Sequence, residues 1–320
     1  MQTFLDPAIL FFVFGLLAGL VRSNLEIPPP IARFLSLYLL MSLGLKGGFA
    51  LARTGLTMEV AISLGLALML AFVVPLMGYG LLRRWLSGFD AAAVSATYGS
   101  VSAVTFITAV QVLDSRGLSY GGHMAAAMAL MESPAIVMAV LLANRVRQRE
   151  GGAVAGQQVS MGKLLHESLT DGAQLLLLGA MVVGLLTGDK GQEVMSPFSV
   201  DLFKGMLAFF LLDMGLNAAR HMGGLKGRSP WLLAYATLAP IVHATLALVC
   251  AWAAGMSEGD GALLMVLAAS ASYIAVPAVV RHAIPEAQPA LYLGMSLGLT
   301  FPFNILLGIP LYLRAASAVL

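Results

Sequence analysis

The feature that most constrains this chain is the length of its apolar segments. Ten such segments, each bounded by charged residues, glycine or proline, follow one another through the sequence. A helix needs about 20 apolar residues to cross the hydrocarbon core of a bilayer. Only 11% of the residues are charged, against about 25% in soluble proteins. The pattern predicts an all-α polytopic membrane protein with transmembrane helices over 7–22, 30–50, 56–82, 90–112, 120–144, 163–187, 199–219, 229–255, 260–283 and 289–313.

The distribution of lysine and arginine predicts the orientation of these helices. Cytoplasmic loops of membrane proteins carry an excess of both residues. If the N-terminus lies outside, 12 of the 18 lie in inside loops and 6 in outside regions. We therefore expect both termini outside the cytoplasm. The formal net charge of +2 gives no indication of a nucleic-acid partner.

A polar, glycine-rich stretch after Arg145 divides the chain into halves of five segments each. We predict a first repeat over residues 1–145, a cytoplasmic linker over 146–162 and a second repeat over 163–320. An odd number of spans makes the second repeat insert upside down, which is the inverted 5+5 arrangement of many secondary transporters.

Short matches between the halves favour such a repeat. They recur at the nearly constant offsets of 171, 172 and 168 residues, in the pairs MSLGLKGG (41–48) with LDMGLNAA (212–219), SVSAVT (100–105) with SYIAVP (272–277), and MESPAIV (131–137) with LTFPFNI (299–305). Each match is weak alone, and the shared offset is what carries the prediction.

Glycine and hydroxyl residues concentrate in the fourth and ninth segments, as YGSVSAVT (98–105) and AASASYIAVP (268–277). We predict that both helices are discontinuous here, because glycine and serine let the chain leave helical geometry. The free amides where each helix restarts then form an anion site at mid-membrane. Small residues also let membrane helices pack closely, which is the structural alternative. The predicted substrate-binding residues are Gly99, Ser100, Val101, Ser102, Ala103, Thr105, Ser270, Ser272, Tyr273, Ile274 and Ala275.

A carboxylate in the fifth segment is the first candidate for holding a coupling ion. A charge at the bilayer centre costs about 2.5–3.5 kcal/mol on insertion scales, so Glu132 needs a cation, a proton or a hydroxyl partner there. If Glu132 instead lies near the helix end, it reaches the interface or caps the helix. Ser133 follows it as a further candidate, and Thr300 and Asn304, which share a helix face around Pro302 in the tenth segment, are candidate ligands of the cation or of the substrate.

Three further polar residues are expected at a gate. Asp213 and Asn217 lie four residues apart on one helix face, and their repeat mates are Ser42 and Lys46. We expect a Lys46–Asp213 salt bridge, with direct substrate contact as the alternative.

An enzyme is not predicted. The string GLSYG (117–121) fits the Gly-x-Ser-x-Gly pattern of serine hydrolases, but that pattern needs a strand–turn–helix context, and here it lies between helices. No metal-ligand spacing is present. We predict no cofactor apart from Na⁺ as a coupling ion.

Six further strings are spread over nearly the whole chain: GLKGGFAL (44–51), MESPAIVMAVLLAN (131–144), HESLTDGA (166–173), FKGMLAFFLLDMGL (203–216), LAPIVHA (238–244) and RHAIPEAQPALYLG (281–294). In these strings the chain resembles the sodium-dependent bicarbonate transporter family of bacteria. The resemblance implies a gate domain from segments 1, 2, 6 and 7 and a core domain from the others. It implies a homotrimer in the bacterial inner (plasma) membrane and elevator-type Na⁺/bicarbonate symport. A cytoplasmic PII-like regulator accompanies the family, although the short linker does not by itself predict that it binds.

The binding segments depart from the family pattern more than the scaffold does. Tyr273 occupies the position of a family aspartate, and the fourth and tenth segments read SVSAVTF and MSLGLTFPFN. The resemblance therefore makes a small inorganic or organic anion the expected substrate, with bicarbonate first. An H⁺-coupled monocarboxylate transporter and a transport-inactive channel or sensor of the same fold remain open.

Overall fold

The structure is a computed structural model that describes residues 6–149, 166, 170–225 and 227–320. Every regular element in these ranges is helical, which confirms the all-α prediction. The expected linker over 146–162 lies mostly outside the described residues, since a helix continues through Arg149 and residues 150–162 are not described. Lys163 and Lys226, which entered the charge count, are also outside.

The first half of the chain forms six helices. They are α1 (Pro7–Leu20), α2 (Pro29–Thr54), α3 (Met58–Leu82), α4 (Gly88–Gly99), α5 (Ala103–Arg116) and α6 (His123–Arg149). Proline occupies the start of α1 and α2, where its missing N–H has no acceptor in any helix. Thr57 and Ser87 cap α3 and α4 by accepting from backbone amides.

The second half follows the same pattern with α7 (Gly172–Ser196), α8 (Phe203–Met222), α9 (Pro230–Ala253), α10 (Glu258–Ala269) and α11 (Ala275–Ala283), and with α12 (Pro289–Val319). A π-helical turn, Pro197–Asp201, joins α7 to α8. Two more π-helical turns lie inside α12, at Gly294–Thr300 and Asn304–Gly308. Gly188 bends α7 through a positive φ of 54°, next to residue 187, where the sixth apolar segment was predicted to end.

Each predicted apolar segment overlaps one of these helices or a pair of them. By length and composition, 7 helical stretches of the described chain can cross a membrane, and α1 is a shorter apolar helix. One stretch, Gly88–Arg116, joins α4 to α5, and protein buries 94% of its most apolar window. This stretch is therefore surrounded by protein rather than by lipid.

Close backbone contacts hold α1 against α8 and α2 against α7. A Cβ atom at Gly15 would lie 2.2 Å from the carbonyl oxygen of Leu212, and one at Gly44 would lie 2.3 Å from that of Leu177. Only glycine allows this approach, which is how membrane helices gain contact area without a hydrophobic driving force. These four helices form one packing group.

The second packing group contains α3–α6 and α9–α12. In it α3 packs on α4 and α6, while α9 packs on α10 and α12. The α4–α5 and α10–α11 pairs lie inside. Helix α4 stops at Gly99 and α5 starts at Ala103, with Ser100 extended between them (φ −98°, ψ −175°). Helix α10 stops at Ala269, and Ser270 is likewise extended (φ −80°, ψ 163°).

We predict that Gly48→Ala destabilises the protein, because the new Cβ would lie 2.1 Å from the carbonyl oxygen of Met181 in α7. Overpacking of this kind costs about 1–3 kcal/mol and lowers the thermal midpoint in detergent. Gly65→Ala in α3 is the matched control, because a Cβ there meets no atom within 4 Å. An equal midpoint for the two variants would contradict the proposed close packing.

Candidate substrate site

The two interrupted regions meet each other inside the second group. The amide of Ser272 donates to the carbonyl oxygen of Thr97 over 2.7 Å. The amide of Ser102 donates to the Ser270 hydroxyl over 3.0 Å. All four residues are buried. Each break therefore satisfies freed backbone groups of the other, as buried amides and carbonyls require.

Hydroxyl groups cap the helices that restart after the breaks. The Ser102 hydroxyl accepts from the Thr105 amide over 3.2 Å at the start of α5. The Ser272 hydroxyl accepts from the Val276 amide over 3.3 Å at the start of α11. Part of the predicted serine and threonine cluster thus serves helix capping.

Three amides in these first turns have no acceptor in the described part of the chain. They belong to Ala103 and Val104 in α5 and to Ala275 in α11. A helix cannot satisfy its own first amides, and each helix N-terminus carries a partial positive charge. Two such ends therefore face one another where the breaks meet.

Both first turns open into a single cavity of about 110 Å³. Further walls come from α6 and from α2 and α7 of the first packing group, so the cavity lies between the two groups. It is lined by Ser36, Leu40, Val101, Ser102, Ala103, Val104, Met128, Ala129, Glu132, Asp171, Ala173, Gln174, Leu177, Ser272, Tyr273, Ile274 and Ala275.

The predicted substrate residues divide between this wall and the layer behind it. Seven of them line the cavity: Val101, Ser102, Ala103, Ser272, Tyr273, Ile274 and Ala275. The other four, Gly99, Ser100, Thr105 and Ser270, are buried behind the wall. A Cβ at Gly99 would lie 2.6 Å from Pro75 of α3. The Tyr273 hydroxyl faces Ser102 without a well-formed hydrogen bond, and its ring packs on Phe301 at 5.2 Å.

Glu132 lies in the cavity wall and accepts a hydrogen bond from the side-chain amide of Gln174. Gln174 is buried in the first turn of α7. Asp171 caps that turn by accepting from the amides of Ala173 and Gln174 over 2.9 and 3.3 Å. The predictions omitted Asp171 and Gln174, although a polar pair three residues apart at the head of an apolar segment is a recognisable capping signal.

The structure does not bring the four predicted coupling-ion residues together. Glu132 lines the cavity, whereas Thr300 and Asn304 of α12 do not. The Thr300 hydroxyl lies 2.6 Å from the Tyr98 hydroxyl and donates to the carbonyl oxygen of Ala236 over 2.7 Å. Ser133 is half-buried beside Glu132 and lies outside the cavity lining.

Asn304 supports the end of α10 instead. Its side-chain amide donates to the carbonyl oxygen of Ala269 over 2.9 Å, and its oxygen accepts from the Tyr312 hydroxyl over 2.9 Å. Ala269 is the last residue of α10. Asn304 therefore satisfies a carbonyl that the helix break exposes.

The expected Lys46–Asp213 pair is wrong. Lys46 pairs with Asp114 at the end of α5 over 3.3 Å, and its ammonium lies 4.4 Å from the centre of the Phe203 ring. Asp213 lies ten residues beyond Phe203 along α8, roughly 15 Å at the helical rise. Asp213 accepts instead, over 3.1 Å, from Asn217, which lies one turn further along the same face of α8.

The string GLSYG lies in the loop between α5 and α6, so the strand–turn–helix context of a hydrolase nucleophile is not present there.

Comparison with known families places this geometry in context. A family model described as the Na⁺-dependent bicarbonate transporter superfamily matches residues 7–317. No curated protein matches the sequence. The family is one of transporters and not of enzymes, and it agrees with the apolar helices of a multi-pass membrane protein. The chain therefore belongs to the Na⁺-dependent bicarbonate transporter superfamily.

Proposed function

We propose that this protein is an elevator-type symporter that couples Na⁺ to the uptake of a small anion, with bicarbonate as the first choice. The observation that carries the proposal is the cavity into which the first turns of α5 and α11 both open. Unpaired amides of Ala103, Val104 and Ala275 lie in those turns. They bind the anion oxygens, as helix N-termini do in other anion sites.

The dimensions of the cavity favour a small substrate. Its volume of about 110 Å³ is well below the roughly 300–1,000 Å³ of pockets for drug-sized ligands. Among the described residues that line it, none is a lysine or an arginine, so backbone dipoles supply the positive potential. An anion with several acceptor oxygens on one atom, such as bicarbonate, satisfies amides that converge from two helices.

Glu132 gives this site its cation requirement. An anion bound in the same cavity repels the Glu132 carboxylate, because both are shielded from bulk water. A Na⁺ ion or a proton on Glu132 removes that repulsion. The bound cation therefore raises the affinity of the site for the anion, and the bound anion raises the affinity for the cation. The Glu132–Gln174 hydrogen bond joins the two packing groups, and a cation on the carboxylate competes with it.

The packing groups supply the moving parts of the proposed elevator. We assign α1, α2, α7 and α8 to a fixed gate domain and α3–α6 with α9–α12 to a core domain that carries the cavity. In this proposal α4–α5 and α10–α11 are two discontinuous transmembrane helices. The chain then has ten transmembrane helices in the inner membrane, with both termini outside the cytoplasm.

The pattern of helix contacts supports a 5+5 inverted repeat over residues 1–145 and 163–320. In such a repeat α1, α2, α3 and α6 correspond to α7, α8, α9 and α12. A contact of α1 with α8 is then expected to recur as a contact of α7 with α2, and a contact of α3 with α6 as one of α9 with α12. All four contacts are present. The homotrimer and the PII-like regulator remain expectations from the family.

An H⁺-coupled small-monocarboxylate transporter is the second candidate. Tyr273 stands where the family has an aspartate, so one carboxylate that could hold Na⁺ is missing. Glu132 alone can bind a proton without further ligands.

We predict concentrative uptake of radiolabelled bicarbonate by proteoliposomes when a Na⁺ gradient is imposed at constant pH. Ionophores that collapse the gradient abolish the uptake. Parallel experiments offer small carboxylates as substrates, or impose a pH gradient without Na⁺ as the driving force. Uptake driven only by the pH gradient would favour the second candidate, and flux that never becomes concentrative would indicate a channel or sensor.

We predict that Glu132→Gln removes the Na⁺ dependence of anion uptake, because the neutral amide no longer requires a cation. Initial rates with and without Na⁺, over a range of pH, measure the change. Glu59→Gln, on the exposed first turn of α3, is the matched control and keeps wild-type coupling. A Glu132→Gln protein with normal Na⁺ and pH dependence would remove Glu132 from the mechanism.

We predict that Ala103→Pro lowers the affinity for the anion by roughly 10-fold to 100-fold, the value of one charge-assisted hydrogen bond. Proline deletes the unpaired amide, and the first position of a helix tolerates it. The preceding Ser102 is extended (φ −103°, ψ 108°), as a residue before proline must be.

Met58→Pro is the control for this substitution. Met58 starts α3 after Thr57, which has nearly the same φ (−102°) and caps its helix in the same way. Met58 is exposed and lies outside the cavity. If the two variants transport with equal affinity, the amide of Ala103 does not bind the anion.

A further inference from the structure

A second cavity lies on the outer face of the core group, where the C-terminal ends of α3 and α6 meet. Its volume is about 210 Å³. Two turns of each helix line it, with apolar side chains at one end and arginines at the other: Leu76, Tyr79, Arg83, Leu142, Arg145, Val146 and Arg149.

The three arginines of this cavity have no acidic partner within the described part of the chain. No described acidic residue lines the cavity either. The guanidinium of Arg83 lies over the Tyr79 ring, 6.0 Å from its centre. The side chains of Arg83, Arg145 and Arg149 are exposed. Within the described residues, their charges therefore converge on one small hollow without a neutralising carboxylate.

Arg147 on the same turn of α6 shows the contrast. It binds Glu286 over 2.8 Å and donates to the carbonyl oxygen of Ala283 over 3.0 Å. The hydrogen bond from Arg147 to the Glu286 carboxylate lowers the pKa of Glu286 below its usual value. The fold thus neutralises Arg147, whereas Arg145 and Arg149, the two cavity arginines on the same helix, have no carboxylate partner among the described residues.

The apolar end of the cavity continues onto the surface that faces lipid. Leu76 is 48% exposed on α3, a helix apolar enough to span the membrane. Trp85, just beyond the end of α3, stacks on Trp231 with the ring centres 5.8 Å apart. Tryptophan concentrates at the membrane–water interface. The arginines therefore lie at the depth of lipid headgroups.

We propose that this cavity binds the headgroup of an anionic phospholipid. Guanidinium groups bind phosphate through paired hydrogen bonds, and the acyl chains continue along Leu76 into the bilayer. Basic pockets between transmembrane helices bind anionic lipid headgroups in this way. The lipid joins α3 to α6 and so stabilises the core group, independently of the ion that drives transport.

The test measures lipid binding to the purified full-length protein in detergent, by native mass spectrometry and by the thermal midpoint. Phosphatidylglycerol is compared with phosphatidylcholine of the same chains and with soluble glycerol 3-phosphate. We expect phosphatidylglycerol alone to bind and to raise the midpoint. Each removed guanidinium weakens its apparent affinity roughly fivefold, so R83Q/R145Q/R149Q weakens it more than tenfold.

The control variant R22Q/R33Q/R314Q removes three exposed arginines outside the cavity and is expected to bind phosphatidylglycerol as wild type does. If the first triple variant does not fold, Arg145→Gln alone must still show the fivefold loss. Equal binding of phosphatidylglycerol by the wild type and the cavity variants overturns the proposal. So does saturation by glycerol 3-phosphate, which would identify a soluble phosphate site.

Discussion

The structure depends on how two helix breaks satisfy their backbone groups away from water. An unpaired amide or carbonyl in a membrane interior costs several kcal/mol. The amide of Ser272 uses the carbonyl oxygen of Thr97, and the amide of Ser102 uses the Ser270 hydroxyl. Because each break lies against the other, neither can form without its partner. The two breaks therefore form one cooperative unit. Their remaining amides, which have no acceptor in the described part of the chain, lie at the cavity.

The polar residues of α12 belong to that unit rather than to the cavity. Asn304 binds the last carbonyl of α10, and Thr300 links Tyr98, at the end of α4, to the carbonyl of Ala236. Both side chains therefore hold the ends that the breaks create. Their types match those of cation ligands, which explains the prediction from sequence. In this structure their hydrogen bonds hold helix ends, and their role as ligands stays a prediction.

The sequence predicted the elements better than the contacts between them. Apolar length located the helices, and the glycine and serine clusters lie where α4 and α10 end. The bend at Gly188 agrees with the predicted end of a segment at residue 187. The Glu132–Gln174 contact was missed because the two residues are 42 apart in the chain, and the packing of α7 on α6 brings them together. The partner of Lys46 was mistaken for the same reason, since the repeat offset relates positions in the two halves and not neighbours in space.

The Glu132–Gln174 bond ties the chemistry of the cavity to the movement proposed for the core group. A ligand shifts a conformational equilibrium only by its differential affinity for the two states. The side-chain amide of Gln174 stabilises the Glu132 carboxylate when no cation is bound to it, and it also holds α7 against α6. In the proposed mechanism, a cation on Glu132 replaces that amide, so it removes a contact that opposes sliding of the core. An anion alone cannot do this, because it leaves the carboxylate charged and in need of its partner. The proposed coupling thus follows from the position of one carboxylate on the boundary between the two groups.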